Sequence, residues 1–178
     1  MPMRWIPLFA VVLIASVASA TTLRALDESA LLANSRVAAV VRILDVSSKH
    51  AGKRIFTVAK VVVSRAVKGA KNGDELSVLI PGGAAGEWVQ HVEGAPSPKV
   101  GDTSLVFLEP GPGGLLQVTG LEQGYGRIRA DAKATGGFVV DRRVTSRLVG
   151  PDGREVLPSE PVVPLMPLLD RLDRGVAR

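Results

Sequence analysis

Glu87, Trp88, His91 and Glu93 fall within LIPGGAAGEWVQHVEGAP, residues 79–96, and are the residue types in this chain best suited to chemistry. An imidazole flanked by carboxylates is the raw material of a metal site or of acid–base catalysis. On a strand, His91 and Glu93 would project from one face, and Glu87 would share a face with His91. A metal site of tetrahedral form needs three or four ligands. The chain holds two histidines, His50 and His91, and no cysteine. The simpler reading is an exposed polar strand face, and no catalytic set, metal or cofactor is expected.

The glycines of the same stretch raise phosphate binding. PGGAAGEW lacks the Lys-Ser/Thr pair that follows the last glycine of a P-loop, and it does not open a helix-period run. No G-x-S-x-G nucleophile elbow occurs. Serine catalysis would require a positioned imidazole, and His50 lies in the polar turn SSKHAGK, where it reads as a solvated turn residue. Without cysteine there is no thiolate nucleophile, thiol redox couple or Cys-ligated metal. Trp88 has two readings, a binding anchor or a lid over the core with its indole N–H at the surface.

The chain that carries these residues has 178 residues and a net charge of +5. It opens MPMRWIPLFAVVLIASVASATT, with Arg4 as a short charged region, Trp5 to Val17 as an apolar run, and Ala18-Ser19-Ala20 as a small-x-small site. That pattern predicts a signal peptide over residues 1–20, cleaved before Thr21. Its apolar run is short for a span of about 20 residues. The expected product is therefore exported, secreted or periplasmic, without stable membrane insertion. Cleavage removes the single charge of Arg4 and no acid. Residues 21–178 suit one domain. A cysteine-free chain in an oxidising compartment must draw its stability from packing.

Short Val-, Leu- and Ile-rich runs broken by Gly and Pro predict strands throughout most of the chain. RVAAVVRILDV (36–46) and RIFTVAKVVVSRAV (54–67) read as a long hairpin turning at Ala51-Gly52. In the second run Ile55, Thr57, Ala59, Val61 and Val63 share one face, with Phe56, Val58 and Val62 on the other. That pattern suits a bent barrel strand with part of its outer face beneath a helix or loop. Further strands are expected at 75–80, 88–92, 104–109, 115–120 and 125–129, with a short piece at 136–140 and a turn at GPDG (150–153). DESALLAN (27–34) reads as a short helix capped by Asp27. In PLMPLLDRLDRGVAR the leucines fall at helical spacing, which predicts an amphipathic terminal helix docked on the domain. The fold expected is mainly β: a small closed or partly open OB-like barrel over residues 21–158, with a short N-terminal helix and a C-terminal amphipathic helix over 159–178.

One further set of residues carries a resemblance. VAAVVRILDV, Thr57, Val67-Lys68-Gly69, Pro81-Gly82-Gly83, Val92-Glu93-Gly94-Ala95-Pro96, Gly101-Asp102 before LVFLE, and VTGLEQG (118–124) resemble, in this order, a family of small secreted bacterial proteins. The resemblance covers about residues 23–130. More distantly the layout is similar to the netrin-like modules of tissue metalloprotease inhibitors, whose A–B hairpin ends in a Phe-Lys-Gly-like turn. It implies an OB barrel, and protease binding as one activity. Those inhibitors present an N-terminal cysteine, moored by disulfides, to the protease zinc, whereas this chain would begin at Thr21 and has no disulfide. The resemblance therefore bears on fold and not on that mechanism.

Nucleic-acid binding on such a barrel needs aromatic platforms beside a basic groove. Here Phe56, Trp88, Phe107, Tyr125 and Phe138 are spread out and acids interleave with bases, so no nucleic-acid partner is expected. The reading is an exported, non-enzymatic binding module that engages an extracellular or envelope protein, with a protease as one candidate. Its candidate partner-binding residues are Thr21, Glu87, Trp88, His91 and Glu93. Two alternatives stand beside it: a structural or accessory envelope protein without a discrete ligand, and a hydrolase with an unconventional site around Glu87, His91 and Glu93.

Overall fold

One long hairpin frames the molecule, and its two strands are the apolar runs on either side of Ala51-Gly52. A computed structural model describes residues 22–158 and 160–177. Residues 1–21, on which the export expectation and the role of Thr21 rest, lie outside the described residues. In chain order the elements are β1 (Thr22–Arg24), α1 (Glu28–Asn34), β2 (Val37–Ala51), β3 (Arg54–Lys68), β4 (Glu75–Pro81), β5 (Gly83–Ala85) and β6 (Trp88–Gln90). They continue with β7 (Thr103–Pro110), β8 (Leu116–Val118), β9 (Tyr125–Ala130), β10 (Phe138–Asp141), β11 (Arg147–Val149), β12 (Val162–Pro164) and α2 (Leu165–Val176).

Five strands close on themselves in the order β7-β2-β3-β4-β8-β7. The β4–β8 contact is parallel and the other four are antiparallel. This is the partly closed, OB-like barrel that the strand pattern predicts. Register shifts in the β2–β3 ladder at Ala38/Ala39, Val40/Val41 and Ile43/Asp45 supply the bend that a small barrel requires. β7 divides along one edge. Its Leu108–Pro110 half pairs with β8, while its Ser104–Val106 half pairs with β9 and so leads out of the ring to β10 and β12.

Two apolar layers share β2 and β7. Val37, Ala39, Val41 and Ile43 point into the barrel with Ala59, Val61 and Val63. Ala38 and Val40 point the other way, where with Leu105 and Phe107 they meet Leu31 and Leu32 of α1 and Leu168, Leu169 and Leu172 of α2. Burial on both faces is why these strands read as continuous apolar runs instead of alternating ones. β3 buries Ile55, Thr57, Ala59, Val61 and Val63 inward, as the alternation predicts, and its outer Phe56, Val58 and Val62 are half-buried. Helix cover falls mainly on β2 and β7, and β3 meets α2 near its end through an Arg65–Asp173 ion pair of 2.7 Å.

Local signals account for the helices. The Asp27 carboxylate accepts from Ala30 N–H at 2.7 Å and from the Ser29 hydroxyl at 2.8 Å, which caps α1. Those two bonds, the backbone one first, hold its pKa below the usual carboxylate range. In α2, Pro167 is confined to the first turn, where its missing N–H costs nothing. The segment ahead of α2 is also a strand, β12, which pairs antiparallel with β10.

The expected strand at 88–92 is corrected by the structure. β6 stops at Gln90 and lies outside the barrel, pairing only with the glycine-alanine segment β5 as a two-stranded ribbon. The reason is local. Gly82 and Gly83, at φ +87° and +132°, turn the chain off the end of β4, and Gly86 at φ +61° turns it back at once.

Candidate functional site

The β5–β6 ribbon crosses the open end of the barrel and is fastened to the long hairpin by side chains. Ile55 N–H donates to Gln90 Oε1 at 2.7 Å, and Gly82 N–H donates to Ile55 O at 2.9 Å. The Thr57 hydroxyl donates to Gly82 O at 2.8 Å. His50 Nε2 lies 3.3 Å from Ala85 O, which can only accept. His50 is the next-to-last residue of β2, one position short of the turn, and remains exposed to solvent as expected while touching the second hairpin. A side chain at position 83 would collide with the Thr57 and Ser48 hydroxyls, so glycine there is what lets the ribbon sit this close.

Trp88 is 71 % exposed and Val89 78 %. Of the two readings of Trp88, the core lid is overturned. Residues 88 and 89 belong to a ribbon of three-residue strands whose anchors, Gln90 and Gly82, lie at its base, so neither face at the tip has a core to cover. Glu87 occupies the turn between β5 and β6 and not a strand face shared with His91. His91 and Glu93 follow the end of β6 and do not share a strand face either. They meet across a loop, His91 Nε2 to Glu93 Oε2 at 3.4 Å, with the imidazole side chain 85 % exposed. A single exposed contact of that length is worth little energetically.

Below the ribbon is a cleft of about 450 Å³. Its floor is the barrel interior at Val46, Ser48, Thr57 and Ile80, and its walls are Val89, His91 and the Ala95–Pro98 segment. The Ser48 and Thr57 hydroxyls are 2.8 Å apart. Because Thr57 gives its proton to Gly82 O, Ser48 must donate to Thr57. Both hydroxyl protons are thereby engaged away from any imidazole, so neither hydroxyl is set up as a nucleophile paired with a base. Among the described residues no group of three or more His, Cys, Asp or Glu side chains converges as a metal site would require. Among them, too, no helix is long and apolar enough to cross a membrane.

Several residues that the site chemistry does not single out hold the surrounding segments in place. Glu122 accepts from Thr145 N–H, the Thr145 hydroxyl and Ser146 N–H at 3.0, 2.9 and 2.7 Å. Burial pushes its carboxyl up, and the Ser146 and Thr145 donors more than reverse this, leaving its pKa below the ordinary value. Gln123 accepts from Leu26 N–H at 2.8 Å and donates to Arg24 O at 3.0 Å. Just before these two residues Leu121 takes φ +55°, a left-handed conformation that non-glycine residues seldom adopt. Their signal in the sequence was a polar pair set among glycines in VTGLEQG. Lys68 Nζ similarly donates to Leu32 O at 2.6 Å, closing α1 onto the hairpin. Thr57, Lys68, Gly82, Gly83, Glu122 and Gln123, which lie in the segments carrying the family resemblance, therefore have architectural work in this fold. Comparisons with protein-family models, with curated proteins and with solved structures gave no match to the chain.

Proposed function

We propose that the protein is an exported, non-enzymatic binding module that engages an extracellular or envelope protein through the tip of the β5–β6 ribbon. One observation carries this reading. An indole and an adjacent valine are held in water on a short ribbon fixed by three hydrogen bonds at its base and by the His50–Ala85 contact nearer its tip. Scattered exposed apolar residues are ordinary. A tryptophan on a hydrogen-bonded ribbon is different, because the backbone that presents it is already ordered before a partner arrives, and aromatic anchors dominate protein interfaces. Glu87 at the turn and the His91–Glu93 pair give the ribbon a polar rim, the usual surround of such an anchor. The leader-like pattern of residues 1–20 supports export, and the netrin-like resemblance makes a protease one candidate partner.

The test is recovery of the protein from culture supernatant or periplasm at native abundance. Wild type is expected to carry a stoichiometric protein partner, and the Trp88→Ala, Val89→Ser double variant is expected to lose it while folding normally. Recovery of the wild-type chain alone, or equal retention of the partner by both forms, would remove the reading.

A further inference from the structure

We infer that the cleft beneath the ribbon is a binding site for a small neutral molecule with an apolar body and at least one hydrogen-bond donor. This goes beyond the ribbon-tip reading and does not depend on it, since Trp88, the anchor of that reading, does not line the cleft.

The argument begins with a deficit of volume. At the helix-covered end the β2–β3 pair sends Val41, Ile43, Val61 and Val63 into the barrel. Towards the ribbon end Val46, Ser48 and Thr57 face the opening beside the buried Ile55 and Ile80, and the chain above the two hydroxyls is Gly82-Gly83, which has no side chains to fill the space. The result is an opening of about 450 Å³. That lies within the range of small-molecule pockets, which are mostly apolar with a few placed polar groups.

Its lining sets the ligand's chemistry. No Asp, Glu, Lys or Arg contributes to the wall, and the one titratable group there, the His91 ring, is mostly in water. A charged ligand would lose its hydration with nothing to replace it, which selects a neutral one. The polar atoms are directional. Ser48 has donated its proton to Thr57, so its oxygen keeps acceptor capacity towards the cleft. Gln90 Oε1 accepts from Ile55 N–H, which fixes the amide and leaves its Nε2 as the donor it can offer a ligand. Around these lie Val46, Ile80, Val89, Val92 and Pro96. A ligand that fits brings one N–H or O–H to Ser48 and an apolar remainder to the wall, and Gln90 can donate to an acceptor where the ligand carries one.

N-phenylnaphthylamine, neutral, apolar and carrying a single N–H, is the probe, and its sulfonated analogue anilinonaphthalene sulfonate is the anionic control. With the full chain, the neutral probe is expected to give a saturable fluorescence rise at one site, with the sulfonate binding more weakly. Ala84 stands opposite Val89 on the cleft side of the ribbon at an exposed position, so Ala84→Phe should fill the opening without touching the core and abolish the signal. Ser48→Ala should weaken binding by about fivefold, the loss of one neutral hydrogen bond. Far-UV circular dichroism and a melting curve check that each variant is folded, and Ala84→Phe alone keeps the test valid if Ser48→Ala is not. A cleft that holds only water gives no saturable rise, which overturns the proposal, as does a rise that Ala84→Phe leaves intact. Tighter binding of the sulfonate overturns the neutral class, and unchanged affinity in folded Ser48→Ala overturns the hydrogen-bond assignment.

Discussion

The two ends of the long hairpin are built on different principles. At the helix-covered end, β2 is buried on both faces from Val37 to Val41, and valine, leucine and phenylalanine side chains fill the space on each side. At the ribbon end, the same strand runs out through Ser47, Ser48, Lys49 and His50 to an exposed turn, and the buried Ile55 and Ile80 are joined by the Ser48 and Thr57 hydroxyls and by Gly82 and Gly83. Cohesion at the first end is apolar and spread over many contacts. At the second it adds a handful of hydrogen bonds, and glycine at 83 is what lets the ribbon approach the Ser48 and Thr57 hydroxyls. The first arrangement yields stability, and the second yields a rigid edge with an unfilled space beneath it, which is what recognition requires.

The largest effect is expected where apolar packing dominates. Phe107 is 1 % exposed and its ring lies under α1 and α2, with the Arg142 guanidinium 5.9 Å from its centroid. Phe107→Ala should cost about 3–5 kcal/mol in urea unfolding. A loss below about 1 kcal/mol would mean that the helix layer is dispensable to the barrel, and the contrast between the two ends would collapse.

An intermediate and pH-dependent effect is expected at Glu122, which ties the loop before β11 to the segment beside the cleft. Its folded-state pKa is below the ordinary value of 4.5, so its contribution is fully present above that value and is lost as pH falls through the folded pKa. Glu122→Gln should therefore lower stability by about 1 kcal/mol at neutral pH, the group being only partly buried. The gap from wild type should close as melts are taken progressively below pH 4.5. A gap that stays constant down to strong acid would show that the carboxylate's charge plays no part in holding the loop.

The smallest effects belong to the ribbon tip. Trp88→Ala and His91→Ala should each change stability by no more than about 0.5 kcal/mol, because neither side chain has a buried partner. A clear fall in melting temperature for Trp88→Ala would place the indole against the core after all and erase the distinction between the two ends. A null effect on folding also makes the loss of partner in the double variant interpretable as loss of binding.

The sequence by itself determined the local elements. The long hairpin and its Gly52 turn, the Asp27-capped helix, the inward face of 54–67 and the leucine stripe of 165–176 each follow from spacing within one segment, because periodicity and capping are short-range properties. The barrel class followed as well, from the number and brevity of the apolar runs. Tertiary structure alone decided where those runs went. β7 splits its edge between β8 and β9, which no property of SLVFLE announces, since edge pairing depends on what two distant segments offer. Trp88 is exposed because Gly82 and Gly83 divert the chain onto a ribbon with nothing above its tip, whereas composition allowed a core lid equally well. His91 and Glu93 meet through a loop instead of a strand for the same reason. Glu122, Gln123, Ser48 and Thr57 are ordinary polar residues in the sequence, and their roles come from partners 9 to 99 positions away. A hydrogen bond across such a separation exists only once the barrel has closed and brought its two groups within 3 Å.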